Sequence, residues 1–521
     1  MQLEKIPLSD THAFSSFFLD YIQDPHKLTP FFHRSPQLEN FEKQFADKST
    51  FPATHRSILV ETLQRQYLHL TPNDRVKSNI LSLASEKTFT VTTGHQLTIF
   101  TGPLYFIYKI VTVINTCTRL RQKYPEYSFV PVYWMATEDH DFAEISSFRL
   151  YGKKYQWETD QTGAVGRFNP KTIGNLLREI PGDTRLFKDA YLRHDTLSDA
   201  VRYYIHKLFG PDGLVVIDAD DRSLKSLFEG VMEDDLFHHT TKGLVDTQNS
   251  KLEDLGYYPQ VHAREINFFY LDAGVRNRLE REGTGFKVVD HDLRFSFDQI
   301  RDLIKKEPEK LSPNVVLRPL YQETILPNLA YAGGPAEIVY WLQLKPVFDH
   351  FKVTFPILIP RNFGLVMDNP TLRKFEKTGL ELKDLFEEKN YLFNHWVLKN
   401  TRHNLTLTDS IRAVREIFDL LKTRVTQLDV TLGPAAEAEK KRTVNSLEKM
   451  EKKMLKAEKR RHSDKLHQIE AVKDVLLPGG SLQERADNFL NFYQQDPDFI
   501  RHLINIFDPF DFRLHVLMYH D

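Results

Sequence analysis

The sequence contains one cysteine, Cys117, among 521 residues. A single thiol cannot form an intramolecular disulfide, and zinc sites and iron–sulfur clusters that need several cysteines are excluded with it. Low cysteine usage is typical of the cytoplasm, because disulfides persist mainly in oxidising compartments. The sequence therefore predicts a cytoplasmic protein, and we predict no metal site in it.

Long apolar runs and an excess of charge of one sign are also missing. No stretch approaches the roughly 20 apolar residues needed to cross a bilayer, and the first residues lack the apolar segment of an export signal. Lys plus Arg total 69 and Asp plus Glu total 71, a formal net charge of -2. We therefore expect no membrane partner, and nucleic acid could bind only through a local basic surface.

Strand-like and helix-like segments alternate through much of the chain. Residues 87–93 are short and β-branched, residues 105–124 have one apolar helical face, and residues 129–136 are apolar on both faces. The last pattern is typical of a strand covered by helices on both sides, so the three segments predict a βαβ unit. Further strand candidates are 213–220, 313–318 and 353–360. The sequence predicts an α/β fold with an open, parallel-sheet core.

The remaining segments predict how the chain is divided. Residues 1 to about 85 are predicted to be helices punctuated by prolines, and they belong to a core that we place at 1–395. A polar, turn-rich stretch at 151–205 predicts a small lobe inserted into that core. The core is followed by a coiled coil at 396–480 and by a helical segment at 481–521 that packs back on the core.

The coiled coil is predicted from a heptad seam, in which apolar residues alternate at spacings of three and four. The seam consists of Ile411, Val414, Phe418, Leu421, Val425, Leu428 and Leu432. Gly433 and Pro434 are predicted to break this helix before a longer one resumes at Val444. Two heptad helices joined by a short turn predict an antiparallel hairpin, and its remaining apolar edge predicts a homodimer.

The residues that follow each predicted strand are candidates for a site, because open parallel sheets bind ligands beyond the carboxyl ends of their strands. Gly94, His95 and Gln96 follow the first strand, and Thr101 and Gly102 precede the next helix. Glycines in such a loop allow backbone N–H groups to approach an anion. The alternative is a tight turn carrying one polar histidine, since neither common glycine-rich phosphate motif is present.

Four ionisable residues follow the second strand directly: Glu138, Asp139, His140 and Asp141. Such groups are costly to bury unless they are paired or bound to a ligand. Clusters of this kind are typical of functional clefts, so we predict a catalytic or ligand-binding role for at least one of them. The alternative is that Asp139 or Asp141 caps a short helix.

Three further features predict binding of anionic groups. Arg318 and Arg361 lie at the ends of two strand candidates, where a guanidinium group could hold a carboxylate or phosphate. Gly333 and Gly334 precede a predicted helix, and Glu337 lies near its free N–H groups. We predict a second anion-binding loop at this helix.

The segments TTGHQLTIFTGPLYFIYK, VYWMATEDHDFAEI, NVVLRPLYQETILPNLAYAGGPAEIVYWLQL and PILIPRN resemble the family of bacillithiol biosynthesis cysteine-adding enzymes. The resemblance covers nearly the whole chain. It implies a nucleotidyltransferase-like Rossmann core and a ligase that joins cysteine to glucosaminyl malate in the last step of bacillithiol synthesis. By the same resemblance, Gly94 to Gln96 occupy the place of a nucleotide-binding loop, with Glu138 to Asp141 beside it.

Amide formation from a free carboxylate requires an activated acyl group, and ATP is the expected source, with Mg²⁺ as a candidate companion. Two other functions remain open. Residues 437–473 contain 12 Lys or Arg and 7 Asp or Glu, which allows a coiled-coil scaffold or nucleic-acid-binding role, although solvated heptad helices often have this composition. The other alternative is a ligase related to class I synthetases that acts on a different substrate.

Overall fold

The computed structural model describes residues 2–71 and 73–519. Met1, Pro72, His520 and Asp521, which belong to the predicted ranges 1–395 and 481–521, lie outside the described residues. The strands are β1 Gln2–Ile6, β2 Thr88–His95, β3 Ser128–Met135, β4 Ser147–Leu150, β5 Lys153–Gln156, β6 Val215–Asp218, β7 Phe268–Asp272, β8 Val275–Glu282, β9 Gly285–Val288, β10 Arg294–Ser296, β11 Leu311–Pro313, β12 Asn328–Gly333, β13 Ile357–Pro360, β14 Phe363–Met367 and β15 Leu514–Met518.

The α-helices surround these strands and form an arm near the end of the chain. They are α1 Ser16–Gln23, α2 Phe41–Lys48, α3 Ala53–Gln66, α4 Asp74–Ser82, α5 Tyr105–Lys123, α6 Phe142–Ile145, α7 Gly174–Leu177, α8 Arg185–Arg193, α9 Leu197–Phe209, α10 Arg222–Ser226, α11 Glu229–Phe237, α12 Thr240–Asp254, α13 Phe297–Lys306, α14 Arg318–Ile325, α15 Pro335–Leu342, α16 Lys345–His350, α17 Asn369–Glu376, α18 Lys389–Asn400, α19 Thr408–Leu428, α20 Leu432–Arg461, α21 Ser463–Leu476, α22 Gln483–Ala486, α23 Leu490–Tyr493 and α24 Phe499–Ile506.

The central sheet is parallel, with five strands in the order β13, β12, β2, β3, β6. The chain runs from β2 to β3 and β6 on one side, then returns to β12 and β13 on the other. β2 and β3 are almost entirely buried, as strands covered on both faces should be. The predicted parallel core is confirmed, and the reversal of strand order places a crevice beyond the carboxyl ends of β2 and β12.

The strand predicted at 313–318 is wrong, because β11 ends at Pro313 and α14 begins at Arg318. The Asn314 side chain accepts hydrogen bonds from the backbone N–H groups of Val316 and Leu317, which turns the chain toward the helix. Pro319 then lies in the first helical turn, where its missing N–H costs nothing. The strand that does join the sheet here is β12, which was not among the predicted strands.

Three further sheets in the described residues were not predicted. An antiparallel sheet has the order β10, β9, β8, β7, β11, a smaller one places β15 between β1 and β14, and β4 pairs with β5. The strand β15 lies in the segment 481–521 that was predicted to be helical, so that part of the prediction is wrong. The helices α22, α23 and α24 precede this strand in the same segment.

The predicted lobe at 151–205 contains β5, α7, α8 and much of α9. Its apolar side chains pack with α5 and with residues 489–507 in one buried cluster that includes Phe100, Phe187 and Phe499. The lobe therefore joins the core to the last helices of the chain.

The helices α19 and α20 form an antiparallel hairpin. Ion pairs join Lys422 to Glu437 and Asp419 to Lys440, so positions later in α19 face positions earlier in α20. The turn lies at 429–431, and the predicted break at Gly433 and Pro434 is wrong, because these residues sit in the first turn of α20. No side chain of α19 is fully buried, so the hairpin leaves apolar surface exposed.

Candidate active site

A cavity of about 810 Å³ lies at the crevice between β2 and β12. The carboxyl ends of β2 and β3 form its floor, α5 and α15 form one wall, and the antiparallel sheet forms the opposite wall. This is the position at which doubly wound sheets bind ligands. Of the predicted site residues, the following line it: Gly94, His95, Gln96, Glu138, Asp139, His140, Arg318, Gly334, Glu337 and Arg361.

His95 ends β2, and its imidazole ring stacks on Phe106 and meets Tyr105 edge to face. Its Nε2 atom is buried and has no hydrogen-bond partner within residues 2–71 and 73–519. Burial, together with the charges of Lys109 and Arg361, lowers the pKa of His95 to about 3. The ring is therefore neutral at physiological pH.

The low pKa of His95 predicts an acid-sensitive contribution to folding. Because the folded-state pKa of about 3 lies below the usual 6.5, the unfolded chain binds the proton more readily between these values, and the free energy of unfolding falls as the pH drops through this window. We expect the wild type to lose about 2 kcal/mol more than His95→Gln between pH 7 and pH 4.5. Urea unfolding of both proteins at the two pH values measures the difference, and equal losses would contradict the prediction.

A buried ion pair links the two loops of the crevice. Lys109, on α5, donates to the Gly94 carbonyl at 2.8 Å and pairs with Glu337 Oε2 at 2.5 Å. Glu337 also accepts hydrogen bonds from the Tyr331 hydroxyl and from the Gly334 backbone N–H. Burial opposes ionisation of Glu337, but these contacts outweigh it and lower the pKa of the carboxyl. The start of α15 was predicted to bind an anion through its backbone N–H groups. The Gly334 N–H group instead donates to the protein's own carboxylate, that of Glu337.

Arg318 lies deep in the cavity among aromatic rings. Its guanidinium carbon is about 6 Å from the ring centroids of Trp134, Tyr331 and Trp341, a distance suited to cation–π attraction. The group donates to Gln322 and to the Tyr340 hydroxyl, and it forms no ion pair with a carboxylate in the described part of the chain. Its charge is therefore available to an anionic ligand.

Gly94 allows this arrangement at the end of β2. A Cβ atom at this position would lie 3.3 Å from the Tyr331 hydroxyl and 3.6 Å from Nη1 of Arg318. A side chain here would crowd the Tyr331 hydroxyl, which would have to move by a few tenths of an ångström, whereas its contact with Arg318 would be an ordinary van der Waals contact.

The ionisable residues at 138–141, which follow β3, have different surroundings. Glu138 contacts the ammonium of Lys225, and burial raises the pKa of its carboxyl. Asp139 accepts from Gln96 and lies 3.4 Å from Arg276; although burial opposes ionisation, its contacts hold the pKa of this carboxyl well below the usual range. Asp141 does not line the cavity, and it accepts from the Glu144 N–H as the cap of α6, the alternative considered for this residue.

Thr101, Gly102 and Gly333 also lie outside the cavity lining. Thr101 and Gly102 have positive φ angles of 70° and 63°, so the loop takes a backbone shape that L-residues rarely adopt. The Asn488 side chain holds that shape by donating to the carbonyls of Phe100 and Gly102. Thr101 and Gly102 therefore shape the loop between His95 and α5 rather than facing a ligand.

Arg361 follows β13, as predicted, and is held by the far end of the chain. Its guanidinium pairs with Glu484 of α22 at 2.6 Å and lies over the Tyr105 ring. Its Nε atom is buried, and no acceptor for it is found among the described residues. The neighbouring Arg485 also reaches the cavity. The segment that follows the helical arm thus completes one wall of the site.

Sequence reasoning missed Lys109, Arg276 and Arg485, all of which line the cavity. Lys109 lies in a run of buried apolar and aromatic residues on α5, where a lysine is unusual and could have been noticed. Arg276 and Arg485 come from segments distant in sequence, one on an unpredicted strand, and no local pattern marks them.

No helix within residues 2–71 and 73–519 has the length and apolarity needed to cross a membrane. The same residues contain no group of three or more His, Cys, Asp or Glu side chains that could hold a metal ion. Cys117 is buried on α5, away from the cavity, and burial raises the pKa of its thiol to about 12. A thiol in this environment is a poor nucleophile.

Comparison with known families covers both parts of the chain. Residues 1–362 match "Bacillithiol biosynthesis BshC, N-terminal Rossmann-like domain", and residues 364–519 match "Bacillithiol biosynthesis BshC, C-terminal coiled-coil domain". The chain is similar over its length to curated proteins named "Putative cysteine ligase BshC". That of Cytophaga hutchinsonii is 40% identical over 517 residues, 99% of each chain.

Further relatives carry the same name. That of Flavobacterium psychrophilum is 41% identical over 505 residues, 95% of each chain. That of Salinibacter ruber is 29% identical over 513 residues, 94% of this chain and 93% of its own. The fold, the order of the two parts and these full-length similarities agree with the resemblance seen in the sequence. The chain belongs to the BshC family of bacillithiol biosynthesis proteins.

Proposed function

We propose that this protein is a cytoplasmic ligase that joins the carboxyl group of cysteine to the amine of glucosaminyl malate, the last step of bacillithiol synthesis. The observation that carries the proposal is the cavity at the sheet's switch point. It combines a neutral histidine and a guanidinium group, and within residues 2–71 and 73–519 the histidine Nε2 has no hydrogen-bond partner and the guanidinium has no carboxylate partner. The names of the relatives support the class of reaction, and the two substrates are our proposal.

The reaction needs an activated acyl group, because an amine does not displace the oxygen of a free carboxylate at a useful rate. ATP is the proposed source of activation. The amine nitrogen then forms a bond to the acyl carbon of cysteine, the bond from that carbon to the activating group breaks, and the amine loses a proton. His95 lines the cavity in its neutral form, so we propose that its imidazole accepts this proton and, because its pKa is low, passes it on rather than keeping it.

Both substrates carry carboxylates, and the cavity has positive groups that could hold them. Arg318 lies at depth and has no ion-pair partner among the residues that the structure describes, and Arg485 reaches the same cavity from α22. Glu138, Asp139 and Glu337 are each in contact with a Lys or Arg of the protein, so they do not cancel this charge. A dianionic sugar conjugate matches a site of this sign.

Purified protein incubated with cysteine, glucosaminyl malate and ATP should form a thiol product with the mass of the two joined substrates less one water. Mass spectrometry of complete mixtures and of mixtures lacking one component measures it. In cells, deletion of the gene should remove the thiol and leave glucosaminyl malate to accumulate. Unchanged thiol content in the deletion strain would refute the proposal.

A further inference from the structure

His140 and Arg276 are in direct contact at the wall of the cavity. Nη1 of Arg276 lies 2.6 Å from Nδ1 of His140. The nearest carboxylate oxygen to Nδ1 of His140 is Oδ1 of Asp139, at 3.4 Å. The guanidinium is almost fully buried and lies over the Phe269 ring at 4.1 Å, and its Nε donates to Ser312. Arg276 is therefore fixed in place from several sides.

The identity of the two groups determines where the imidazole proton lies. A guanidinium group has only donors and stays protonated in proteins. At 2.6 Å, one of the two nitrogens must accept the hydrogen bond, and only Nδ1 of His140 has a lone pair to offer. The proton of the neutral ring is then on Nε2. A second proton on Nδ1 would point at the N–H of Arg276 and break this bond.

The Nε2 atom is left free to bind a ligand. His140 lines the cavity, and its side chain is about half exposed. Nδ1 is engaged by Arg276, and Nε2 has no hydrogen-bond partner in the described part of the protein. The N–H group of the neutral ring, at Nε2, is therefore the one that a ligand in the cavity can reach.

We infer that Arg276 fixes His140 as a neutral hydrogen-bond donor, whose Nε2–H binds an oxygen of the ligand in the cavity. For the ligase proposed above, on which this assignment of the ligand rests, the oxygen is that of the reacting acyl group, where negative charge develops during attack by the amine. The two histidines then differ in role: His95 accepts a proton, and His140 donates a hydrogen bond without giving up its proton. Arg276 is a positioning residue.

The proton position can be measured on the full-length protein without any ligand. Ring-¹⁵N-histidine labelling and magic-angle-spinning NMR distinguish a protonated from an unprotonated ring nitrogen, and the signals missing in His140→Gln assign His140. We expect an unprotonated Nδ1 and a protonated Nε2 at pH 7. In Arg276→Met the ring should become a mixture of tautomers, with protons detected at both Nδ1 and Nε2.

A matched control is Arg278→Met, which removes another cation of β8 that lines the same cavity but does not touch His140. Its His140 signals should match those of the wild type. Protonated Nδ1 in the wild type, or equal changes in the Arg276 and Arg278 variants, would overturn the inference. This test does not depend on ligase activity, so its failure and the failure of the proposed function are distinguishable.

Kinetics test the role of the donor. His140→Ala should lower kcat by about 100-fold with little change in KM, as loss of a single donor to a developing oxyanion does. His140→Gln should recover about tenfold of that loss, because its amide supplies an N–H but no base. If Gln is no better than Ala, and the acid limb of the pH profile disappears in both, His140 acts as a base and the inference is wrong.

Discussion

Replacement of His95 by alanine is expected to lower kcat/KM for cysteine addition by about 10³-fold, within the range that a positioned acid or base contributes. The reason is that this ring lines the cavity and is neutral at physiological pH, although burial and the charges of Lys109 and Arg361 lower its pKa to about 3 and make it a weak base that passes the proton on. No other described histidine of the cavity has a buried, unpaired ring nitrogen. The loss should appear mainly in kcat.

The measurement is the initial rate of thiol product formation, with thermal melting of the same samples as the test of folding. His95→Gln serves as a second variant, since it retains hydrogen bonding but cannot accept the proton. It should be nearly as inactive as His95→Ala. If either variant melts like the wild type and works at a comparable rate, the proton acceptor is another group and the site must be reassigned.

We also expect the protein to form a homodimer through the hairpin of α19 and α20. Ile417, Leu420, Leu428 and Val430 are between 62% and 84% exposed, which is unusual for large aliphatic side chains. Burying each of them against a second copy would contribute about 1.5–3 kcal/mol. We therefore expect Ile417→Glu combined with Leu420→Glu to weaken the dimer by about a thousandfold, because carboxylates in that contact would lose their water.

Sedimentation of the wild type and the variant at micromolar concentration measures this effect. Because the two side chains are exposed in the single chain, the substitutions should leave the hairpin and the α/β core folded. Arg412→Gln combined with Arg415→Gln changes the net charge by the same amount at exposed positions on a different face of α19 and should remain a dimer. A monomeric wild type, or equal effects of both double substitutions, would show that the exposed side chains serve another purpose.

The sequence predicts the parallel core well, because the apolar residues of β2, α5 and β3 follow the pattern expected for buried strands and for a helix with one buried face. The antiparallel sheet escapes prediction for a physical reason. Its longest strand, β8, reads VRNRLERE, and most of its side chains are only partly buried. A strand of this kind has no apolar run, and charge alternation alone does not distinguish it from a solvated loop.

Likewise, some residues of the candidate site are predictable from the sequence and others are not. His95 and Asp139 follow buried strands directly, so their position in the chain predicts the sheet edge at which they lie. Arg276 contacts His140 although the two residues are 136 positions apart in the sequence. Arg361 is oriented by Glu484, which is 123 positions away in the sequence. Contacts of this range depend on how the sheets pack together, which no local pattern encodes.

The position of β15 between β1 and β14 has a consequence for synthesis in the cell. Residues 514–518 are translated after residues 2–6 and 363–367, yet both of these earlier strands depend on them for their backbone hydrogen bonds. A nascent chain on the ribosome therefore carries two unpaired strand edges until residues 514–518 have been made. Such edges attract other strands, so chaperone binding during translation and rapid proteolysis of prematurely terminated chains would both protect the cell from their aggregation.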